Sequence, residues 1–159
     1  KSSDFHWTAQ HYRIKLREGK IRRDKEVIFN DASKKAVYIN HLAGEKESFS
    51  VNDFTLDPLS CLYYIRTAHI EVGRSIYMDI FDNKKLYSLE VPVVRKEEVE
   101  TPAGKFKTIL IKPIMKSECI FARKGDILIW LTDYELRMPV MLKTKTVLGP
   151  VKAVLVSRA

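Results

Sequence analysis

Histidines and clustered glutamates are the residues in this sequence whose types suggest metal binding or acid–base chemistry. The four histidines are His6, His11, His41 and His69, and none stands two or four residues from another. No single strand or helix face therefore presents a pair of metal ligands. We expect each histidine to be a satisfied surface or core group, and we predict no metal site and no cofactor.

The glutamates Glu97, Glu98 and Glu100 stand beside Arg95 and Lys96, just before a turn. Catalytic carboxyl groups need different environments that separate their pKa values, whereas these lie together among opposite charges. A solvated, salt-bridged loop edge is the better interpretation. The sequence also lacks the nucleophile-elbow, dinucleotide, P-loop and zinc-protease motifs. We predict no catalytic residues and a protein that is not an enzyme.

Two cysteines, Cys61 and Cys119, show no CxxC spacing. In an oxidising compartment they could form a disulfide, and otherwise they are two separate small buried side chains. We favour separate thiols.

Positive charge is in excess and concentrates towards the N-terminus. The chain has 28 Lys and Arg against 20 Asp and Glu, a net charge of +8, and residues 1–46 hold 11 of the former and 6 of the latter. Such a balance attracts polyanions. The candidate residues for contact with an anionic surface lie in one basic segment: Arg13, Lys15, Arg17, Arg22 and Arg23. Nucleic acid is not the expected partner, because exposed stacking aromatics do not alternate with these cations.

The elements that must position these residues are mostly strands. Apolar and basic side chains alternate over residues 12–17, which predicts a half-buried strand. Gly19 suits a tight turn, and further strands are expected over residues 20–29 and 35–42. Later strands are predicted at 76–81, 85–94, 106–112, 126–132, 139–147 and 151–156. The run over 126–132 is almost wholly apolar, so we expect it to be central and covered on both faces.

A single helix is predicted from Asp57-Pro58 to Arg66. Asp is a good N-cap, and Pro has a backbone angle suited to the first helical position. Leu59, Leu62, Tyr63 and Arg66 share one stripe, which we expect to pack on the sheet.

Together these elements predict a mainly β fold: a curled antiparallel sheet, forming an open or half β-barrel, with one short helix packed on its concave face. Because no linker or repeat interrupts the pattern, we predict a single domain over residues 1–159. No apolar run reaches the roughly 20 residues that a transmembrane helix needs. The apolar residues between helix and sheet would either fill a core or line a cavity for an apolar ligand. The candidates are Leu62, Tyr63, Tyr64, Phe81 and Trp130.

The helix segment DPLSCLYYIR (Asp57–Arg66) resembles the DPLSxLYYLR signature of the DUF3108 family of bacterial exported proteins. Further blocks match in order: LREGKIRRDKEVIFN (Leu16–Asn30), IFDNKKLYSLEV (Ile80–Val91), EEVETPAGKFKTILIKP (Glu97–Pro113) and RKGDILIWLTDYELRMPVMLKTKTVLGPVKAVL (Arg123–Leu155). The resemblance implies a half-barrel similar to the lipoprotein carriers and a periplasmic or cell-envelope location, with any export signal and further N-terminal strands lying outside this chain. The family implies no established activity.

Two hypotheses of different classes follow. The first is a non-enzymatic extracytoplasmic binding protein that holds a lipid or another apolar small molecule in its half-barrel. The second is a structural or assembly module that pairs with a partner protein through an open sheet edge.

Overall fold

The computed structural model describes residues 8–115, 127–146 and 149–157, which form eleven strands and one helix. The strands are β1 (His11–Glu18), β2 (Ile21–Asn30), β3 (Lys35–Asn40), β4 (Glu45–Ser50), β5 (Ser75–Asp82), β6 (Lys85–Thr101), β7 (Gly104–Ile111), β8 (Ile114–Met115), β9 (Ile127–Thr132), β10 (Pro139–Thr146) and β11 (Gly149–Val154), and the helix is α1 (Pro58–Thr67). The predicted mainly β antiparallel fold with one short helix is confirmed, and the described residues form no closed barrel. Within the same residues, no helix has the length and apolarity that a membrane crossing requires.

The strands form two sheets. The first has the order β1-β2-β3-β4, and the second has the order β11-β10-β9-β7-β6-β5, with β8 paired to β6 beside that path. By contacts, the chain divides into two compact units, one of Lys1–Leu62 with Met78–Tyr87 and one of Tyr63–Tyr77 with Ser88–Ala159. Each unit has a hydrophobic cluster of its own. The prediction of a single domain stays a prediction.

Strict alternation builds the core of the first unit. Side chains on successive strand residues point to opposite faces, and one face of the first sheet carries the apolar cluster. We call this the inner face; it carries Tyr12, Val27, Phe29, Ala36, Tyr38 and Phe49. The Phe81 ring packs edge-on to Phe29, with ring centroids 6.3 Å apart, and also against Phe49 at 5.4 Å. The opposite, outer face carries the alternate residues, among them His11, Arg13, Lys15, Arg17, Asp24 and Glu26.

The core of the second unit centres on β9. This strand lies between β7 and β10, and its residues from Ile129 to Thr132 are all buried. Trp130 is in register with Leu110 on one side and Met141 on the other, and the three pack in one cluster. The prediction that the DILIWLT segment forms a covered central strand is therefore confirmed for β9.

The helix begins as its sequence predicts. The Asp57 carboxylate accepts hydrogen bonds from the backbone N–H groups of Leu59 at 2.8 Å and Ser60 at 3.0 Å, and from the Ser60 hydroxyl. These bonds satisfy N–H groups that have no partner inside the first turn. Asp57 is itself buried, so the carboxylate has little access to water as an alternative partner.

The predicted buried stripe of this helix is wrong. Leu59 is 56% exposed and Tyr63 is exposed as well, whereas Cys61 and Ile65 are buried, with Ile65 only 1% exposed. The helix is apolar around much of its circumference, so periodicity alone could not select the packed face. A small residue and a branched residue four positions apart give the closer packing surface.

Two strand predictions also differ from the structure. β4 was not predicted, because its sequence EKESFS shows little apolar alternation and contributes mainly Phe49 to the cluster. β6 is one strand of 17 residues, although the sequence predicts a strand ending at Val94. An irregularity between Val93 and Arg95 shifts its register, which breaks the period-two pattern at that point.

We expect Asp57→Ala to lower the free energy of unfolding by about 1–2 kcal/mol, because three donors lose their acceptor. Asp57→Asn keeps an acceptor oxygen at the same position and should cost clearly less. Chemical denaturation of both variants, followed by circular dichroism, measures the difference. Equal stability of the alanine variant and the original protein would contradict the capping role.

Candidate functional site

The first sheet ends at β1. Among the described residues, no strand lies beside β1 on the side away from β2. The N–H of Phe29 donates to the carbonyl of Gln10 at 2.9 Å. Along the β1–β2 register, residue pairs that form such hydrogen bonds alternate with pairs that do not. The residues of β1 between the bonded positions therefore direct their N–H and C=O groups away from β2. We call this row the β1 edge; it comprises His11, Arg13, Lys15 and Arg17.

Two other terminal strands, β4 and β11, have shorter rows of outward backbone groups. On β4, the N–H of Val51 donates to the carbonyl of Lys34. With the β3–β4 register, this bond means that the backbone groups of Lys46, Ser48 and Ser50 point away from β3. On β11, the outward positions include Pro150, which has no N–H, and Lys152. Proline interrupts such a row, because it has no N–H to donate to an added strand. The β1 edge is therefore the longest row of outward backbone groups on these three strands.

Charges on the outer face differ in how they are neutralised. The Arg13 guanidinium donates two hydrogen bonds to the Asp24 carboxylate, at 2.9 and 3.0 Å, and so holds the pKa of that carboxyl below its usual range. Lys15 and Arg17 have no acidic partner within ion-pair distance among the described residues. Arg22 donates to the carbonyl oxygens of Gly19 and Ile21, which leaves its charge without a counterion in the same part of the chain.

Of the five cations predicted to contact an anionic surface, four therefore share the outer face. They are Arg13, Lys15, Arg17 and Arg22, and Arg23 lies on the inner face, paired in register with Leu16. Contact with an anionic surface stays a prediction.

On the inner side of the β1–β2 hairpin, β1 contributes two apolar side chains near the turn. Ile14 and Leu16 are half-buried, and Ile21 is 51% exposed. β3 pairs with β2 only over Lys25–Asn30, so the part of the hairpin nearer the turn has no third strand beside it. A segment lying along β1 would thus meet apolar side chains on one face and cations on the other.

Two histidines converge on one carboxylate at the other end of the same hairpin. His11 Nε2–H donates to Glu26 Oε1 at 2.7 Å, and His41 Nε2–H donates to Glu26 Oε2 at 2.6 Å. Each histidine is 15 residues from Glu26, a separation that only strand register can bring together. Sequence reasoning considered the histidines singly and missed this cluster. Among the described residues, no group of three His, Cys, Asp or Glu side chains is arranged to hold a metal ion.

The residues predicted to line a cavity belong to different clusters. Phe81 is buried in the cluster of the first unit, and Trp130 is buried in that of the second. The indole N–H of Trp130 donates to Glu97 Oε1 at 2.6 Å, which orients the ring. Each ring is packed against the other side chains of its own cluster. Ligand binding by these residues stays a prediction.

The helix residues of that prediction differ in exposure: Leu62 and Tyr64 are half-buried, and Tyr63 is exposed. The Arg66 guanidinium lies 5.4 Å from the centre of the Tyr63 ring and donates to the carbonyl of Leu136. Arg137 in turn donates to the carbonyls of Arg66 and Ala68, which occupies acceptors at the helix C-terminus. This reciprocal pair of arginines fixes the loop before β10 to the end of α1.

The glutamate cluster is part of a strand rather than a loop. Glu97, Glu98 and Glu100 all lie in β6, where Glu98 is in register with Lys107 and Glu100 with Lys105. The hydrogen bond from Trp130 and a second from Arg95 lower the pKa of Glu97. Of the three glutamates, Glu97 forms an ion pair with Arg95 at 3.1 Å.

Cys61 is a free, buried thiol, and Cys119 lies outside the described residues. The sulfur of Cys61 lies 3.1 Å from Met78 Sδ. Burial, with a smaller contribution from the charge of Asp57, raises the pKa of Cys61 to about 12. The thiolate is the reactive form of cysteine, so Cys61 is unreactive as a nucleophile at neutral pH.

We expect Cys61 to resist thiol reagents in the folded protein. At about pH 8 a thiol with this pKa is ionised at a level on the order of one part in ten thousand. The measurement is labelling by a chromogenic disulfide reagent in a Cys119→Ser variant, native and in denaturant. Labelling should require denaturant, and rapid reaction of the native protein would contradict the burial of Cys61.

Comparison with known proteins gives one match. The model of DUF3108, described as a protein of unknown function, matches residues 7–156, nearly the whole chain. No curated protein and no solved structure matches the chain. The matched range includes the capped helix, both sheets and the β1 edge. The chain belongs to the DUF3108 family.

Proposed function

We propose that this protein is a non-enzymatic binding module whose β1 edge accepts an extended segment of a partner protein as an added strand. The observation that carries the proposal is the row of outward backbone groups at His11, Arg13, Lys15 and Arg17. Such a row matches the hydrogen-bonding pattern of an incoming strand, and main-chain bonds supply affinity in strand addition.

The side chains around the edge define the chemistry of the partner segment. On the outer face, an added strand would lie beside Lys15 and Arg17, whose charges have no acidic partner within ion-pair distance among the described residues. On the inner face, it would lie beside Ile14 and Leu16. The matching segment alternates acidic and apolar residues, because successive strand side chains point to opposite faces.

A second copy of this chain is a poorer occupant. Pairing β1 with β1 would bring Arg13, Lys15 and Arg17 of the two copies together on one face. Like charges on adjacent strands destabilise pairing, and this cationic row therefore disfavours self-association while favouring an acidic segment. A location in the cell envelope belongs to the same proposal, supported by the resemblance of this sequence to a family of bacterial exported proteins.

The direct test is a titration with the capped octapeptide (Val-Glu)4, which matches the eight residues of β1. In nuclear magnetic resonance spectra we expect the amides of His11, Arg13, Lys15 and Arg17 to shift and to gain protection from hydrogen exchange. The capped octapeptide (Val-Lys)4 should not bind. Shifts confined to other strands, or no binding of either peptide, would overturn the proposal.

A proline variant separates edge pairing from simple charge attraction. Lys15→Pro removes an outward N–H without removing a bond to β2, and we expect it to weaken binding of (Val-Glu)4 by about tenfold or more. Lys152→Pro changes the same residue type at an outward position of β11 and should leave affinity unchanged. If Lys15→Pro fails to fold, the double variant Lys15→Glu, Arg17→Glu replaces it, and its preference should switch to (Val-Lys)4.

A further inference from the structure

The cluster of His11, Glu26 and His41 lies on the outer face at one end of the β1 edge. His11 is itself an edge residue, and Glu26 is in register with Arg13, the next edge residue. Both imidazoles donate to the same carboxylate, at 2.7 and 2.6 Å, and both remain partly open to solvent. Protons can therefore reach them without unfolding of the sheet.

The charged neighbours of this cluster come from three strands of the first sheet. β1 contributes Arg13 and Lys15, and β2 contributes Asp24, which pairs with Arg13. The outer face of β4 contributes Lys46, in register with Ile39. With neutral imidazoles, the cluster contributes the single negative charge of Glu26. With both imidazoles protonated, the cluster gains two positive charges and becomes net positive.

Glu26 keeps its charge through this change. Hydrogen bonds from His41 first, and then from His11, lower the pKa of the Glu26 carboxyl. The glutamates of an acidic peptide also remain largely ionised down to about pH 5, since the ordinary pKa of Glu is about 4.3. Between neutral and mildly acidic pH, histidine is thus the group whose charge changes.

We infer that this histidine cluster makes the β1 edge pH-responsive, so that an acidic partner segment binds more tightly as His11 and His41 take up protons. The inference rests on the proposed function, because it describes the regulation of that same edge. Added positive charge beside the added strand strengthens attraction to acidic side chains, and removal of protons weakens it.

The test compares the affinity of the capped (Val-Glu)4 octapeptide at about pH 7.5 and about pH 5.5 in low salt. The original protein should bind about threefold to tenfold more tightly at the lower pH, and the difference should shrink as salt increases. In the double variant His11→Gln, His41→Gln the pH dependence should disappear. The control variant His69→Gln changes an exposed histidine outside the cluster, and its binding should retain the pH dependence.

The outcomes separate the two proposals. Equal affinity at both pH values, with the amides of the β1 edge still shifting, would overturn the pH response and leave strand addition standing. A pH response that survives in the double variant would also overturn it. No binding at either pH would overturn the proposed function and this inference with it.

Discussion

The first sheet is organised by the burial of a single face. Because strand side chains alternate, the packing of Val27, Phe29 and Tyr38 with Phe81 fixes which residues of β1 and β2 point to the outer face. A shift of one residue would bury the cations and expose the aromatic rings. The positions of Arg13, Lys15 and Arg17 on one face, and the meeting of His11 with Glu26, are consequences of that burial.

The same register determines which backbone N–H and C=O groups of β1 can bond an added strand. β2 uses alternate residues to bond β1 and β3, as the bond from His41 N–H to Asp24 C=O shows. The alternate residues of β1 are left with outward groups, and their side chains are those of the cationic outer face. Backbone availability and positive charge therefore coincide on one strand. On β11 the corresponding row contains Pro150, which has no N–H to offer an added strand.

Local features of the sequence predicted much of this fold. Asp57-Pro58 correctly placed the start of α1, Gly19 correctly placed the β1–β2 turn, where its φ is 53°, and the apolar run of β9 correctly indicated a covered strand. Each of these depends on residues close together in the chain. The packed face of α1 was not predictable in this way, because its circumference is apolar on several sides and tertiary packing makes the choice.

The candidate site was predictable only in part. The basic hairpin was evident from alternation over residues 12–17, and its position at the end of a sheet became visible only with the strand order. The cluster of His11, Glu26 and His41 depends on the register of three strands across two turns. Equal separations of 15 residues on either side of Glu26 were the one signal in the sequence, and they acquire meaning once both turns are placed.

Native-state hydrogen exchange along β1 tests whether this strand presents a regular row of backbone groups that have no partner among the described residues. We predict a period of two: slow exchange at Tyr12, Ile14 and Leu16, and exchange faster by about tenfold or more at Arg13, Lys15 and Arg17. Uniformly slow exchange along the strand would mean that the β1 edge is already covered, which would contradict strand addition at this edge.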